Sequence, residues 1–233
     1  MAIDSTNQNE YQVKVPTFYS RLIELHLHPR RYFANASNLD DRTTLTFAIF
    51  LMGIASAISK IDEKIIQFEL SLSQGGHNKG LEILVPWLLK SWVNYWIFAV
   101  FAGLVGSVAL WFIGGWWYKK RLQWSGASDA SPSKARGVYA IQQLVIAIPS
   151  VLLALILTSR FSSYSEAWQA AEIWPSAILI FSFWSCWVSY QAASTAFSTV
   201  RYKARIWFLI LPVVLNLIAL GVAIFGLMAT KVT

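Results

Sequence analysis

Apolar positions near the start of the chain repeat at helical spacing. From Thr17 to Leu27, Phe18, Leu22 and Leu25 stand four and three residues apart, with Arg21, Glu24 and His28 off that stripe. This predicts a short amphipathic helix lying in a membrane interface. Pro29 ends it, because proline disfavours a helical residue before it and donates no backbone hydrogen bond. Arg30 and Arg31 follow, placed to meet lipid phosphates, whereas residues 1–16 are polar and predict a frayed end.

Five stretches without an ionisable residue come next. Residues 43–59 are the shortest, 17 residues or about 25 Å as a helix, and need Arg42 and Lys60 to snorkel if they are to span. The others, 91–118, 138–159, 173–200 and 206–230, run to 28, 22, 28 and 25 residues. A helix with one face in water rarely goes so long without charge, so each predicts a transmembrane helix. The expected fold is an all-α, polytopic transmembrane bundle of five spans with short interfacial helices. Its division is a cytoplasmic region over 1–42 and a membrane domain over 43–230, with spans near 43–61, 92–118, 138–159, 174–198 and 206–229.

The connections carry the orientation. Lys and Arg number 5, 4, 5, 1, 3 and 1 in chain order across the six non-spanning segments. By the positive-inside rule this places the N-terminus in the cytoplasm and the C-terminus outside it, across a bacterial inner membrane. The first connection is ambiguous. Ile65, Ile66, Phe68, Leu70 and Leu72 fit helix and strand alike. Gly75, Gly76 and Gly80 mark turns, and the segment from Leu81 to Leu89 reads as an interfacial helix that Pro86 bends into the second span. Trp92 and Trp96 then belong to an outer aromatic belt, and Trp111, Trp116, Trp117 and Tyr118 to an inner one. Residues 123–137, rich in Gly, Ser and Pro, predict a loop of low order. Lys119, Lys120, Arg121, Arg30, Arg31, Arg201, Lys203 and Arg205 are the candidate contacts to anionic lipid, each contributing about 1 kcal/mol near the surface.

Composition narrows the functional classes. Of 233 residues, 56% are hydrophobic and only 13% charged, against about 25% charged in soluble domains. The net charge of +7 is spread between apolar runs instead of along one solvated face, which argues against nucleic acid as a partner. One cysteine, Cys186, leaves no internal disulfide and no cysteine-based metal site. The first forty residues include Asp4, Glu10, Glu24 and Asp40 and lack the apolar core of a cleaved signal peptide, so the first apolar run is expected to stay as an anchor.

Candidate chemistry is sparse. The fourth span is the most polar, and Ser182, Ser185 and Ser189 share a face at steps of three and four. With Tyr190, Gln191 and Asn216 of the last span they read either as helix-packing glue, through interhelical hydrogen bonds, or as the lining of a cavity or partner groove. Pro149 and Pro212 are candidate kinks, and Pro175 sits at a span start where it is tolerated. Gly103 and Ser107 form a small-xxx-small step. His26 and His28 are two apart and point different ways, so they are poor joint ligands. No catalytic, nucleotide-binding or metal motif occurs, and neither catalytic residues, cofactor nor metal is expected.

The order of features resembles the Yip1 domain family of five-span membrane proteins, in its small bacterial members, over residues 18–229. The residues carrying the likeness are the P-R-R-Y-F stretch at Pro29 to Phe33, the long first connection, the Gly/Ser stretch before Tyr139 and Ala140, and the short basic loop before the last span. The D-L-Y-G-P stretch of the eukaryotic members is absent. The resemblance implies the same orientation and brings no ligand or catalytic residue. The expected role is an accessory, scaffold or assembly protein with no chemistry of its own, in contact with membrane lipids and with another membrane protein or a second copy. The alternative is a small transporter or lipid-handling protein with a cavity near the fourth and fifth spans.

Overall fold

Seven of the described helices begin where a side-chain oxygen accepts an N–H group that a first turn leaves free. In a computed structural model, the backbone is described for residues 17–170 and 174–231 and the side chains for 17–170 and 178–222. The expected frayed end over 1–16 and the side chain of Pro175 lie outside these residues. Helix α1 (Phe18–Leu27) is capped by Thr17, α2 (Pro29–Ala34) opens on its proline, and α3 (Ala36–Leu39) is capped by Asn35. Asp41 caps α4 (Arg42–Ser73), Asn78 caps α5 (Lys79–Lys90) and Ser91 caps α6 (Trp92–Trp124). Ser131 caps α7 (Pro132–Arg160) and Ser163 caps α8 (Tyr164–Gln169). Helix α9 is Trp174–Ala196, and α10 runs from Arg201–Arg205 through Ile206–Ile210 into Leu211–Lys231. Among the described residues there is no strand.

Four of these helices are long and apolar enough to cross a membrane: Arg42–Ser73, Trp92–Trp124, Pro132–Arg160 and Arg201–Val222. The outer faces of α6 and α10 expose Phe101, Val105, Val108, Ile113, Leu215 and Val222, a surface suited to lipid and costly in water. The protein is an all-α membrane protein. Trp174–Ala196 is not among the four; its apolar character is diluted by Ser182, Ser185, Ser189, Tyr190, Gln191 and Ser194.

Helix α4 packs along α6 and α7, α9 lies on α7, and the N-terminal helix α2 lies on α9. Two clusters make the interior. One, toward the end of the bundle where α6 finishes and α7 starts, joins Leu25, Tyr32, Tyr118, Leu122, Ile141 and Phe208. The other, at the opposite end, joins Ile61, Ile65, Val85, Leu88, Tyr95 and Tyr164. Basic side chains of α1, α2, the end of α6 and the starts of α7 and α10 belong to the first end, whereas Arg160 closes α7 at the other.

Several boundaries differ from the sequence reading, each for a physical reason. Helix α4 continues past Lys60 to Ser73, because Ile54, Ile58, Ile61 and Ile65 keep one buried stripe while Lys60, Glu63 and Gln67 bond to one another on the other face. The loop expected over 123–137 is a short connector, 125–131, and it is pinned. Val200 N–H donates to the Ser125 carbonyl at 2.9 Å, and Ser198 N–H to Asp129 Oδ1 at 3.1 Å. In α1 the expected stripe faces the protein, with Phe18 edge-on to Phe47 at 5.2 Å and Leu25 buried. A second stripe, Tyr19, Ile23 and Leu27, faces outward. A helix forms near Leu81, as expected, with Leu81, Val85 and Leu88 turned inward.

Candidate functional site

Two turns of wider, π-helical winding interrupt otherwise regular long helices, at Leu110–Gly114 in α6 and Ile206–Ile210 in α10. Such turns free backbone groups and recur at functional sites. In α10, Leu211 N–H donates to the Ile206 carbonyl, five residues back. The next bond in that register would come from Pro212, which has no N–H. The carbonyl of Trp207 is therefore left over, and Arg121 Nη1 donates to it at 3.4 Å. Pro212, read from sequence as a kink, thus marks where the last helix changes winding and turns a carbonyl inward. At Pro149, by contrast, α7 runs on unbroken, and Ser150 Oγ donates to the Ile146 carbonyl at 2.8 Å.

Arg121, expected among the lipid contacts, is half-buried and turns its guanidinium toward the protein interior. Gly115, Tyr118 and Leu122 are the buried face of this turn, and residue 121 follows Tyr118 by three, so helical spacing turns it toward the interior. Its guanidinium lies 4.6 Å from the Phe208 ring centre and 5.4 Å from that of Tyr118. No carboxylate pairs with it among the described residues. It opens on a cavity of about 190 Å³ lined by Gln142, Gln143, Ser185, Cys186, Ser189, Phe208, Pro212 and Asn216. Arg121 Nε, Gln142 Oε1 and Ser189 Oγ are buried there without a hydrogen-bond partner. The Tyr118 hydroxyl neighbours Ser189 without closing a hydrogen bond.

Three of the helix-packing or partner-face candidates, Ser185, Ser189 and Asn216, meet in this cavity beside Arg121 and Pro212. Asn216 Nδ2 reaches Cys186 Sγ at 3.5 Å, the expected link between the last two long helices. The serine face does not supply interhelical bonds, however. Ser182 and Ser185 donate to carbonyls of their own helix, Ile178 and Ser182, and close approach is left to Ala192 and Ala193, both fully buried. Tyr190 packs on Trp187, with ring centres 5.8 Å apart. Gln191 lines a separate surface groove with Arg30, Arg31 and Trp187. Of the residues expected to contact anionic lipid, Arg30, Arg31, Arg201 and Arg205 are exposed, and Lys119, Lys120 and Lys203 are half-buried. Arg31 pairs with Glu24 at 3.0 Å. Gln142 and Gln143 were not anticipated, although adjacent amides within an apolar run are the signal that marks them.

A second cavity, of about 420 Å³, lies toward the other end between α4, α6, α7, α8 and α9. Ile58, Leu153, Ala154, Leu157 and Ile178 form an apolar wall, and Asp62, Tyr95, Tyr164 and Trp168 form a polar end. Tyr164 donates its hydroxyl to Asp62 Oδ1. Tyr95 and Tyr164 stack with centres 4.5 Å apart, and Trp92 meets both edge-on. Two further bonds hold this end closed, Trp92 Nε1 to the Phe161 carbonyl at 2.8 Å and Trp96 Nε1 to Thr158 Oγ1 at 3.0 Å. Asp62 escaped notice in the sequence because it follows Lys60 and reads as part of a solvated connection. Among the described residues no group of His, Cys, Asp and Glu is placed to hold a metal ion.

Compared with family models, with curated proteins and with solved structures, the chain matches none.

Proposed function

We propose that the protein is a five-span integral membrane protein that holds an amphiphilic small molecule between its helices and binds it without transforming it. The observation that carries this reading is the 420 Å³ cavity, apolar along Ala154 and Leu157 and ending at the Asp62–Tyr164 pair. Its volume and its few convergent polar groups are those of small-molecule sites in general. The carboxyl of Asp62 suits a ligand with an amine or hydroxyl head and an apolar body. Trp174–Ala196, 23 residues long and free of ionisable side chains, is the fifth span in this reading. The basic end then faces the cytoplasm of a bacterial cell, the N-terminus lies on that side and the C-terminus on the other. The layout shared with Yip1 domain proteins supports that arrangement.

The experiment compares dodecylamine with dodecanoate as ligands of the detergent-purified protein, read by thermal stabilisation. Dodecylamine is expected to raise the melting temperature, and Ala154→Phe, which fills the cavity, to remove the effect. Equal shifts from both compounds, or a shift that survives Ala154→Phe, would reject the reading.

A second reading is the accessory, scaffold or assembly role, with another membrane protein or a second copy as partner. Gly106 favours it: it lies half-exposed on α6, and a side-chain carbon added there would meet nothing within 4 Å. A small residue on an outward helix face is where another helix can approach closely. A cross-link from position 106 to a second chain would support this role.

A further inference from the structure

Arg121 is a half-buried cation that no carboxylate compensates among the described residues. Its buried Nε has no partner, its Nη1 has only the 3.4 Å bond to Trp207, and two aromatic faces cover its plane. Everything else lining the cavity is neutral, and no aspartate or glutamate is among the lining residues. A buried charge without a counter-charge is strongly unfavourable, and one that binds an anion is not. The lining also supplies the remaining donors. Ser189, only 6% exposed, has a hydroxyl free to donate, and Gln142, only 4% exposed, can turn its amide N–H₂ inward as easily as its carbonyl. Gln143, Ser185 and Asn216 line the same cavity, Ser185 donating to the Ser182 carbonyl and Asn216 to Cys186 Sγ.

Depth and size narrow the anion. The 33 residues of α6 span about 50 Å, more than the roughly 30 Å of hydrocarbon in a bilayer. The last turns of the helix, with Arg121 three residues from its end, therefore reach headgroup level, where phosphate groups are abundant. A cavity of about 190 Å³ accommodates one compact oxyanion and a few waters, each water needing about 30 Å³, but not a drug-sized molecule. The planar fork of a guanidinium matches the oxygens of a phosphate group in spacing.

We propose that the cavity formed by Arg121, Gln142, Ser185, Ser189 and Asn216 is a binding site for a phosphate-class oxyanion. This site lies at the other end of the bundle from the amphiphile cavity and does not depend on it. The phosphate can come from a phospholipid headgroup or from a soluble ion, and the two sources are separable.

The test measures thermal unfolding of the full chain in a neutral sugar detergent with three additions: inorganic phosphate, dioleoyl phosphatidylglycerol and, as an ionic-strength control, sodium chloride. Phosphate or phosphatidylglycerol is expected to raise the melting temperature beyond the chloride control. Arg121→Gln is expected to weaken that binding roughly tenfold to hundredfold, the effect of losing a charge-assisted bond. Arg121→Lys, which keeps the charge and loses the fork, should retain part of it. Without any anion, Arg121→Gln should melt no lower than the parent, since it removes an unpaired buried charge; a purely structural arginine would give the opposite. Ser189→Ala serves if the arginine variants do not fold, and should weaken the response several-fold. Response to phosphate alone assigns a soluble anion, and response to phosphatidylglycerol alone assigns a headgroup. The proposal is overturned if neither addition exceeds chloride, or if Arg121→Gln and Ser189→Ala respond as the parent does.

Discussion

The carbonyl oxygen of Gly103 stands 2.1 Å from where a Cβ on Gly53 would be, so α4 and α6 cross in backbone contact at these two residues. The fit is reciprocal: a Cβ on Gly103 would lie 2.9 Å from the backbone of Ile54, and a Cβ on Gly53 would also lie 2.7 Å from Ser107 Cβ. Between helices in lipid, such close approach is a main source of attraction. Because the obstructing atoms are backbone, neither Gly53→Ala nor Gly103→Ala can be absorbed by a rotamer change. Each is expected to destabilise by about 1–3 kcal/mol, the usual cost of overpacking. Gly106→Ala, three residues along the same helix but facing open space, should be neutral or stabilising by about 1 kcal/mol, since alanine is the better helix former. Unfolding of the three variants in one detergent measures the difference. A similar loss at all three positions would mean that the crossing is not where the structure puts it.

Asp41 ties the N-terminal helix to the bundle and makes that tie acid-sensitive. Its carboxylate caps α4 through Thr43 N–H at 3.2 Å, accepts from Thr44 Oγ1 at 2.5 Å and pairs with Arg21 Nη1 at 2.5 Å. Burial alone would raise the carboxyl, but the Thr44 hydroxyl and the Arg21 guanidinium outweigh it, and the group is held below its ordinary value. With the folded value below the unfolded one of about 3.9, the stabilisation is complete above that pH and is lost as pH falls through the folded value. Hydrogen exchange in Phe18–Leu27 is therefore expected to speed up at strongly acidic pH. Asp41→Asn, which can still cap the helix, should show the faster exchange at neutral pH and no further acid step. Asp41→Ala should also lose the cap, at about 1 kcal/mol.

The connector 125–131 is expected to resist proteases in spite of its composition. Gly126 is the residue that lets it fold back: its φ is +84°, and a Cβ there would press to 3.0 Å on Val200 Cγ2. Asp129 then receives Ser198, and Lys134 sits 4.7 Å above the Phe197 ring. Two connectors are closed by one another. Trypsin should cut slowly at Lys134 in the parent and faster in Gly126→Val or Asp129→Ala. A cut at Lys134 as fast as one at Lys79, which follows the exposed Gly75 and Gly76 turn, would show the connector to be open.

How far the chain could be read in advance follows from what each residue does. Helices were legible wherever lipid solvation demands an uncharged stretch. The small residues Gly103 and Ser107 were visible as a pair. Their partner Gly53 was not, because a crossing point depends on how two helices are staggered, which no single-helix pattern encodes. Arg121 and Asp62 were misplaced for a related reason. Each sits beside other charged residues at the edge of an apolar run, and local composition assigns it to the surface. Only the helical phase, set by Tyr118 and Leu122 in one case and by Ile58, Ile61 and Ile65 in the other, turns it inward. The serine face of α9 was found, but the hydroxyls of Ser182 and Ser185 had an easier acceptor in their own helix one turn back, as serine in a helix commonly does.

Orientation is the last relationship open to a direct measurement. Lys119, Lys120, Lys134 and Arg136 bracket one connector, and Arg201, Lys203 and Arg205 the one bonded to it through Val200 and Ser125. Bound connectors must lie on the same side of a membrane, so these seven charges act as one determinant. Neutralising Arg201, Lys203 and Arg205 alone is then expected to leave the topology unchanged, because four charges remain at that face and short-loop Lys and Arg set the orientation. A reporter active only in the cytoplasm, joined to either end, tests this. It should be active at the N-terminus and silent at the C-terminus in both the parent and the triple variant. Activity at the C-terminus of the parent would mean an even number of crossings, with Trp174–Ala196 or the first apolar stretch failing to traverse the bilayer.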